Sequence, residues 1–467
     1  MTHLQRFAVS KLLGRFNHEF EFTPDAPFII LHGPNGVGKT RMLELIESVF
    51  RFDVFKIAES HFASLSMVFS GGERLIIHNK THAYQGNMRM RPINLTFRLS
   101  GKKYGKSGVS GAINFPTDEI PLAVWREVQN EMMQAVERDA SPSMKLQMLE
   151  HSGGAYLPQH YRLTPGAARG KALLDLQEFD REIVEFLDQF DIHMVETQRL
   201  LILNQGGEAA RRRSPESHPQ RMKVSECARD LANRLAASLT ENSRRSQELD
   251  KSFPRRVLDD STFDVVPTEP EIRAAYEEQS KLRNRLAAIA LLDESMDVPL
   301  QGGELVSWQR KVLWTYLQDS AHKLSTFQDL LNRVELFKSI IKSRFLFKRM
   351  IIDREAGFRF ENDNEQRISP SQLSSGEQHE IVLIYDLLFN VRTGSLVLLD
   401  EPEISLHVAW QQEFLADIQR IAQLSNLRFV VATHSPLIIN EWWGQAVALN
   451  APEMKASDGA VKGEGRS

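Results

Sequence analysis

The stretch Phe28-Ile-Ile-Leu-His32, followed directly by Gly33-Pro-Asn-Gly-Val-Gly-Lys-Thr40, decides the fold. An almost unbroken apolar run reads as a strand buried on both faces, the pattern of a parallel sheet. From 41 to 50, Met42, Leu45, Ile46 and Val49 recur at helical spacing. The loop between them matches GxxxxGK[ST] in the strand–loop–helix setting that a phosphate-binding loop requires. Gly36 and Gly38 allow a tight turn, so that backbone amides from Asn35 onward converge on phosphate oxygens. The helix adds its positive N-terminal end. Lys39 is placed to reach the β- and γ-phosphates and Thr40 to ligate Mg²⁺. A Gly-rich turn without a ligand is the plain alternative, and the flanking strand and helix argue against it.

Working outward, Phe16, His18, Phe20 and Phe22 alternate with more polar residues as in a half-buried strand. Strands are expected at 65–69 and 75–77, joined by the hairpin signal Ser70-Gly-Gly-Glu73. Another strand carries the alternation Ile93, Leu95, Phe97, Leu99. Helices are expected at 122–136 and 171–190, then a strand at 191–196. The segment 204–220 is rich in Gly, Ser, Pro and charge. Beyond it lie a helix at 222–239, a second entered through Thr268-Glu-Pro270, and, after Gln301-Gly-Gly303, one long helical run from 304 to 345. Strand patterning returns at Met350, with buried strands at 395–400 and 428–433 and a helix between them. The Gly-, Lys- and Ser-rich tail from 455 to 467 reads as disordered.

Four further stretches add chemistry. Leu396-Val-Leu-Leu-Asp400-Glu401 is an apolar strand ending in two carboxylates. Asp400 suits the Mg²⁺ shell and Glu401 suits polarising a water molecule. Leu373-Ser-Ser-Gly-Glu-Gln378 opens a helix, where the Ser374 hydroxyl and the amide of Gly376 form an anion site next to Glu377. Alone it would be a Ser-rich helix cap; standing shortly before the carboxylate strand, it reads as functional. Val430-Val-Ala-Thr-His434 is a strand that ends in histidine. In Val195-Glu-Thr-Gln198, a short strand ends at Gln198, either as a sensor of Mg²⁺ and γ-phosphate or as an ordinary strand–loop junction. Arg211-Arg-Arg213 reads as a solvated charge run and Trp442-Trp443 as a packing pair. Arg344 and Lys348 are candidates for a basic surface.

The 467-residue chain is 42% apolar and 25% charged, enough for a sizeable core. Its 57 basic and 61 acidic residues are near balance, so composition gives no argument for nucleic acid. The single cysteine, Cys227, excludes an intrachain disulfide and falls on the apolar stripe Val224, Ala228, Leu231, Leu235, as a core thiol would. No stretch has the length of a membrane span, and the first residues lack a signal-peptide pattern, so a cytoplasmic location is expected.

The order of motifs resembles that of ABC-type ATPases. LSSGEQ is similar to their LSGGQ signature, and His434 matches their switch histidine. The long separation between the phosphate loop and the signature resembles SMC, Rad50, RecF and OLD ATPases. The strings GPNGVGKT, VETQRL, LSSGEQ, DEPEISLH and ATHSP look like OLD-like ATPases of bacterial anti-phage defence. Among these, the set is most similar to the AriA-type ATPases of PARIS systems. The resemblance implies an α/β head built from both chain ends, with a mostly helical insertion. The expected division is an N-terminal ATPase lobe at 1–200, an insertion at 201–349, a C-terminal ATPase lobe at 350–450 and a tail at 451–467. It implies ATP and Mg²⁺ as cofactors, with Glu401 and His434 catalytic. Asn35, Gly36, Gly38, Lys39, Thr40, Gln198, Ser374, Gly376 and Glu377 would hold nucleotide, and Thr40, Asp400 and Gln198 the metal. It also implies a homo-oligomer of head dimers assembled into a hexamer, a TOPRIM-type toxin nuclease partner of the AriB kind, and an acidic DNA-mimic trigger of the Ocr kind. No membrane role is expected, and direct nucleic-acid binding stays open. OLD proteins continue into a TOPRIM domain; here the stretch after Glu441 has no acidic cluster, so nuclease chemistry is expected from a partner. A Rad50- or RecF-like repair ATPase and a Septu-like ATPase with an HNH nuclease partner are the alternatives.

Overall fold

The computed structural model describes residues 2–23, 26–81, 93–115, 141–151, 179–196, 219–258, 267–293, 300 and 303–449. The expected helix at 122–136, Gln198, the 211–213 arginines and the tail at 455–467 lie outside these residues. In chain order the elements begin with β1 (Leu4–Leu12), β2 (Phe16–Glu21), β3 (Phe28–His32), α1 (Lys39–Phe50), α2 (Val54–Glu59), β4 (Ser64–Phe69) and β5 (Arg74–Asn79). There follow β6 (Ile93–Gly101), β7 (Gly105–Phe115), α3 (Pro142–His151), α4 (Glu182–Leu187), β8 (Ile192–Glu196), α5 (Pro219–Leu258), α6 (Glu269–Ala287), α7 (Ser307–Ser325) and α8 (Gln328–Arg344). The last are β9 (Lys348–Asp353), β10 (Gly357–Asn362), β11 (Arg367–Ile368), α9 (Ser375–Tyr385), β12 (Leu396–Asp400), α10 (Val408–Ser425), β13 (Arg428–Thr433), α11 (Pro436–Ile439) and β14 (Ala446–Ala448). The chain forms two compact units, one of residues 1–196, 393–403 and 426–467, the other of 197–392 and 404–425.

The first unit holds two sheets. One is antiparallel, in the order β2-β1-β4-β5-β6-β7, and the other parallel, in the order β14-β3-β13-β12-β8. Their burial follows the two sequence patterns. β2 and β4 alternate between buried and more exposed positions, whereas β3, β12 and β13 are buried almost throughout. Helix α1 buries Met42, Leu43, Leu45, Ile46, Val49 and Phe50 in the core that these sheets share. The expected α/β class is therefore present, and the buried strands fall where the apolar runs predict. β7 had no strand signature, because Gly105, Gly108 and Gly111 are poor strand formers. Two of these glycines answer to packing. A Cβ on Gly108 would lie 2.4 Å from the Leu99 carbonyl oxygen, and one on Gly111 would lie 2.5 Å from the Phe179 ring. Trp442 and Trp443 pack edge-on against Phe28 and His32.

The second unit contains α5–α10 and a small sheet in the order β11-β10-β9. Helix α5 runs on well past the expected end at 239. Its second half is polar and is held to α7 by polar links instead of an apolar stripe. Asn242 Nδ2 donates to the Lys323 carbonyl at 2.7 Å, Lys323 pairs with Asp250 at 2.6 Å, and Arg256 pairs with Asp319. The run at 304–345, expected as one helix, is two. The Ser325 and Thr326 hydroxyls donate back to the carbonyls of His322 and Lys323, which competes with the helical ladder where no Gly or Pro marks a break. Helix α6 starts as expected, with Glu271 accepting from the Thr268 backbone N–H at 2.8 Å. Cys227 is buried, and burial pushes its thiol up to about 12, so it is an inert core group. Among the described residues, no helix is long and apolar enough to cross a membrane.

Candidate nucleotide site

Three neighbouring parallel strands bring the first cluster together. β3 pairs with β13, with Thr433 opposite His32, and β13 pairs with β12, with Ala432 opposite Asp400. The chain segments leaving β3, β12 and β13 therefore start side by side at one edge of the sheet. Asn35 and Gly36 are exposed at the top of the loop. Gly36 and Gly38 have φ of +83° and +94°, the left-handed region where a side chain is strained. Gly33 is needed for another reason: a Cβ there would lie 2.5 Å from the Leu449 carbonyl oxygen, beside β14.

Lys39 is the first residue of α1 and is buried. Its Nζ donates to the carbonyls of Gly33 at 2.9 Å and Pro34 at 3.3 Å, and lies 2.5 Å from Nε2 of His434. Burial lowers the Lys39 pKa, and the charges of Glu401, Asp400 and Glu403 partly offset that effect. Thr40 Oγ1 donates to Asp400 Oδ1 at 3.2 Å. Hydroxyl and carboxylate thus share one small space at the head of α1. That pairing fits a hard cation that takes its remaining ligands from water and phosphate oxygens. His434 Nε2 is 3.5 Å from Glu401 Oε1.

Glu401 leaves the strand in a left-handed conformation, φ +47°, and its N–H donates to the Ala432 carbonyl at 2.8 Å. A non-glycine residue in that region carries strain of the kind that clusters at functional sites. Sequence reading did not single out Glu403. Its Oε1 accepts the backbone N–H of His434 at 2.7 Å and so fixes the turn that carries the histidine. The third acid of Asp400-Glu-Pro-Glu403, after a proline that stiffens the turn, was the available signal.

The signature residues belong to the second unit. Ser374 caps α9 in extended conformation, and Glu377 closes a capping box. Glu377 Oε2 accepts both the Ser374 backbone N–H and the Ser374 hydroxyl, each at 2.9 Å. Lys348 Nζ donates to both Glu377 oxygens, at 2.6 and 2.8 Å. Burial would raise the Glu377 carboxyl, but Lys348 and the Ser374 donors outweigh it and hold the group below its ordinary value. Gln378 Nε2 donates to the Leu373 carbonyl at 2.7 Å, which pins the residue before the cap. Arg344 and Lys348 do not form the open basic surface that the sequence suggested. The Arg344 side chain is fully buried between Glu380 and Asp417, and Lys348 is committed to Glu377. Gln198 lies outside the described residues.

A family model described as an AAA domain, putative AbiEii toxin, of a type IV toxin–antitoxin system matches residues 203–440. That stretch includes the signature, the carboxylate strand and His434 but begins after the phosphate loop. The retron Ec83 probable ATPase of Escherichia coli is 31% identical over 109 residues, 21% of this chain and 20% of its own length. The retron Vc95 probable ATPase of Vibrio cholerae serotype O1 biovar El Tor is 33% identical over 87 residues, 16% of this chain and 16% of its own length. The match thus spans at most about a fifth of these curated relatives. Among solved structures, the Pyrococcus furiosus Smc head domain bound to the C-terminal domain of ScpA is 11% identical. Its TM-score is 0.32, over 96% of this chain and 93% of that one. The SMC head domain from Thermotoga maritima is 10% identical, with a TM-score of 0.31 over 94% and 91% of the two chains.

Proposed function

This chain belongs to the AAA-domain family of putative AbiEii toxins, and from that membership we propose that it hydrolyses ATP at sites completed by a second copy of itself. The observation that carries the reading is the convergence of Lys39, Thr40, Asp400, Glu401 and His434 at one edge of a parallel sheet. In this reading the loop amides from Asn35 to Thr40 and the Lys39 ammonium bind the β- and γ-phosphates. Thr40 and Asp400 hold Mg²⁺, with Gln198 as a further candidate. That ion, when bound, neutralises phosphate charge. Glu401 orients and deprotonates the attacking water, and His434 donates to the γ-phosphate.

Ser374 and Gly376 act on nucleotide held by the other copy, and Glu377 sets the cap from which they do so. Gly376 supports this. A Cβ there would meet nothing within 4 Å among the described residues, so their packing does not demand a residue that weakens the helix. A close approach from outside the chain would demand it.

The biological reading is an anti-phage sensor and scaffold of the PARIS kind. Head dimers, assembled into a hexamer, hold a TOPRIM-type nuclease and release it on meeting an acidic DNA mimic. The retron ATPases among its relatives favour a defence setting over genome repair. Glu401→Gln is the direct test. It should leave ATP binding within about twofold of wild type and lower steady-state turnover by about 100-fold or more. Undiminished hydrolysis would remove Glu401 from its role. Co-purification followed by mass spectrometry tests the partner: a TOPRIM nuclease supports the PARIS reading, and an HNH or Mre11-like nuclease replaces it.

A further inference from the structure

We propose that Lys348 is a positioning residue of the signature, the group that makes an acid-bearing signature compatible with an incoming phosphate. The proposal rests on the composite-site reading above. The head of α9 is an anion site by its backbone, because the first amides of a helix have no internal acceptors. Glu377 contradicts that role. It stands in the first turn, and its Oε2 takes both donors of Ser374. A full negative charge therefore occupies the place that a γ-phosphate would approach, and the serine hydroxyl is turned inward to it.

Lys348 resolves the conflict. Its ammonium grips both carboxylate oxygens from β9, a different element, and so balances the charge of Glu377 without using the α9 backbone. β9 is held in register by β10, with Lys348 opposite Asn362. Phe347 precedes Lys348 with φ +60°, a conformation that an aromatic residue adopts only under constraint. An ammonium has three donors, so Lys348 can keep Glu377 while the Ser374 hydroxyl changes partner from carboxylate to phosphate. Without it, Glu377 repels the phosphate and retains the serine.

The test compares Lys348→Met, Lys348→Arg, Glu377→Gln and the double variant Lys348→Met/Glu377→Gln, with Ser374→Arg as control. Lys348→Met should lower kcat for ATP by about tenfold or more while ATP binding to the isolated protomer changes by less than about twofold. Lys348→Arg should stay within about threefold of wild type. The double variant should recover to within about threefold of Glu377→Gln alone, because the charge that Lys348 balances is gone. A merely structural Lys348 predicts no such rescue, since Glu377→Gln breaks the same ion pair. Wild-type turnover in Lys348→Met alongside an inactive Ser374→Arg overturns this proposal alone, as does a double variant no better than Lys348→Met. Wild-type turnover in Ser374→Arg overturns the composite site, and this proposal with it.

Discussion

Replacing Arg344 with methionine should lower the stability of the second unit by about 3–5 kcal/mol at pH 8, the usual cost of removing one partner from a buried ion pair. The Arg344 side chain has no exposure. Its Nη1 lies 2.7 Å from Glu380 Oε1, and its other Nη pairs with Asp417. Methionine fills similar space but offers neither carboxylate a donor. Asp417 keeps Arg420 at 3.2 Å, whereas among the described residues the Glu380 oxygens have no hydrogen bond beyond their ion pair with Arg344. Burial lifts the Glu380 carboxyl to about 7, with Arg344 opposing the shift and Asp417 adding to it. The folded value lies above the ordinary 4.5, so the folded protein keeps a proton that the unfolded chain gives up. Stability from this group is complete below pH 4.5 and is lost as pH rises to about 7, a change of about 3 kcal/mol.

Glu380→Gln should therefore match wild type at pH 4, exceed it by as much as about 3 kcal/mol at pH 8, and restore much of the Arg344→Met loss. Guanidinium unfolding at both pH values measures this, and hydrogen exchange across 375–385 assigns the transition to the unit that carries the signature. At roughly 3 °C per kcal/mol, the Arg344→Met loss corresponds to about 10–15 °C in Tm. An Arg344→Met protein within about 1 kcal/mol of wild type at pH 8 would refute the reasoning, as would a Glu380→Gln protein destabilised there.

Gly357→Ala should be among the most damaging single-methyl additions at the described glycines. The residue has φ +74°, and a Cβ would lie 1.8 Å from the Ala228 carbonyl oxygen, so strand and helix must separate at a cost of about 3 kcal/mol or more. Thermal unfolding would show it, and a Tm within about 2 °C of wild type would contradict it. Gly376→Ala should do the reverse for stability, leaving it unchanged or up to about 1 kcal/mol higher, because alanine favours the helix and meets no neighbour. Turnover should nonetheless fall at least about tenfold if a second copy approaches there. Full activity in this variant counts against that approach.

The parallel sheet and its loops were legible because continuous burial leaves a continuous apolar run. Phe28–His32 and Arg428–Thr433 could be bounded by reading alone. Lys39, Thr40, Asp400, Glu401 and His434 were legible because each follows such a strand or the loop after it. Features set by contacts distant in sequence were not. The second half of α5 is stabilised by polar links to α7, which leave no apolar period. The break between α7 and α8 is made by two hydroxyls that look like ordinary helix surface. Lys348 looked like free surface charge because its partner, Glu377, lies on another element. Arg344 looked the same until the carboxylates of α9 and α10 closed around it.

The two candidate half-sites differ in how readily each gives up its internal contacts. The Lys39 ammonium is held by two backbone carbonyls, which are neutral acceptors, and lies against the His434 ring. A phosphate oxygen is a charged acceptor and makes the stronger bond, so exchange at Lys39 is downhill for any nucleotide that enters. Ser374 gives its hydroxyl to a carboxylate, an acceptor as charged as the phosphate that would replace it. Exchange at Ser374 is therefore close to balanced, and Lys348 or the docking of a second copy can tip it. On the composite-site reading proposed above, this asymmetry predicts that the first half-site binds nucleotide unaided and that turnover waits on the second. A factor that changes assembly would then control hydrolysis without touching the phosphate loop, through the short path from β9 to the head of α9.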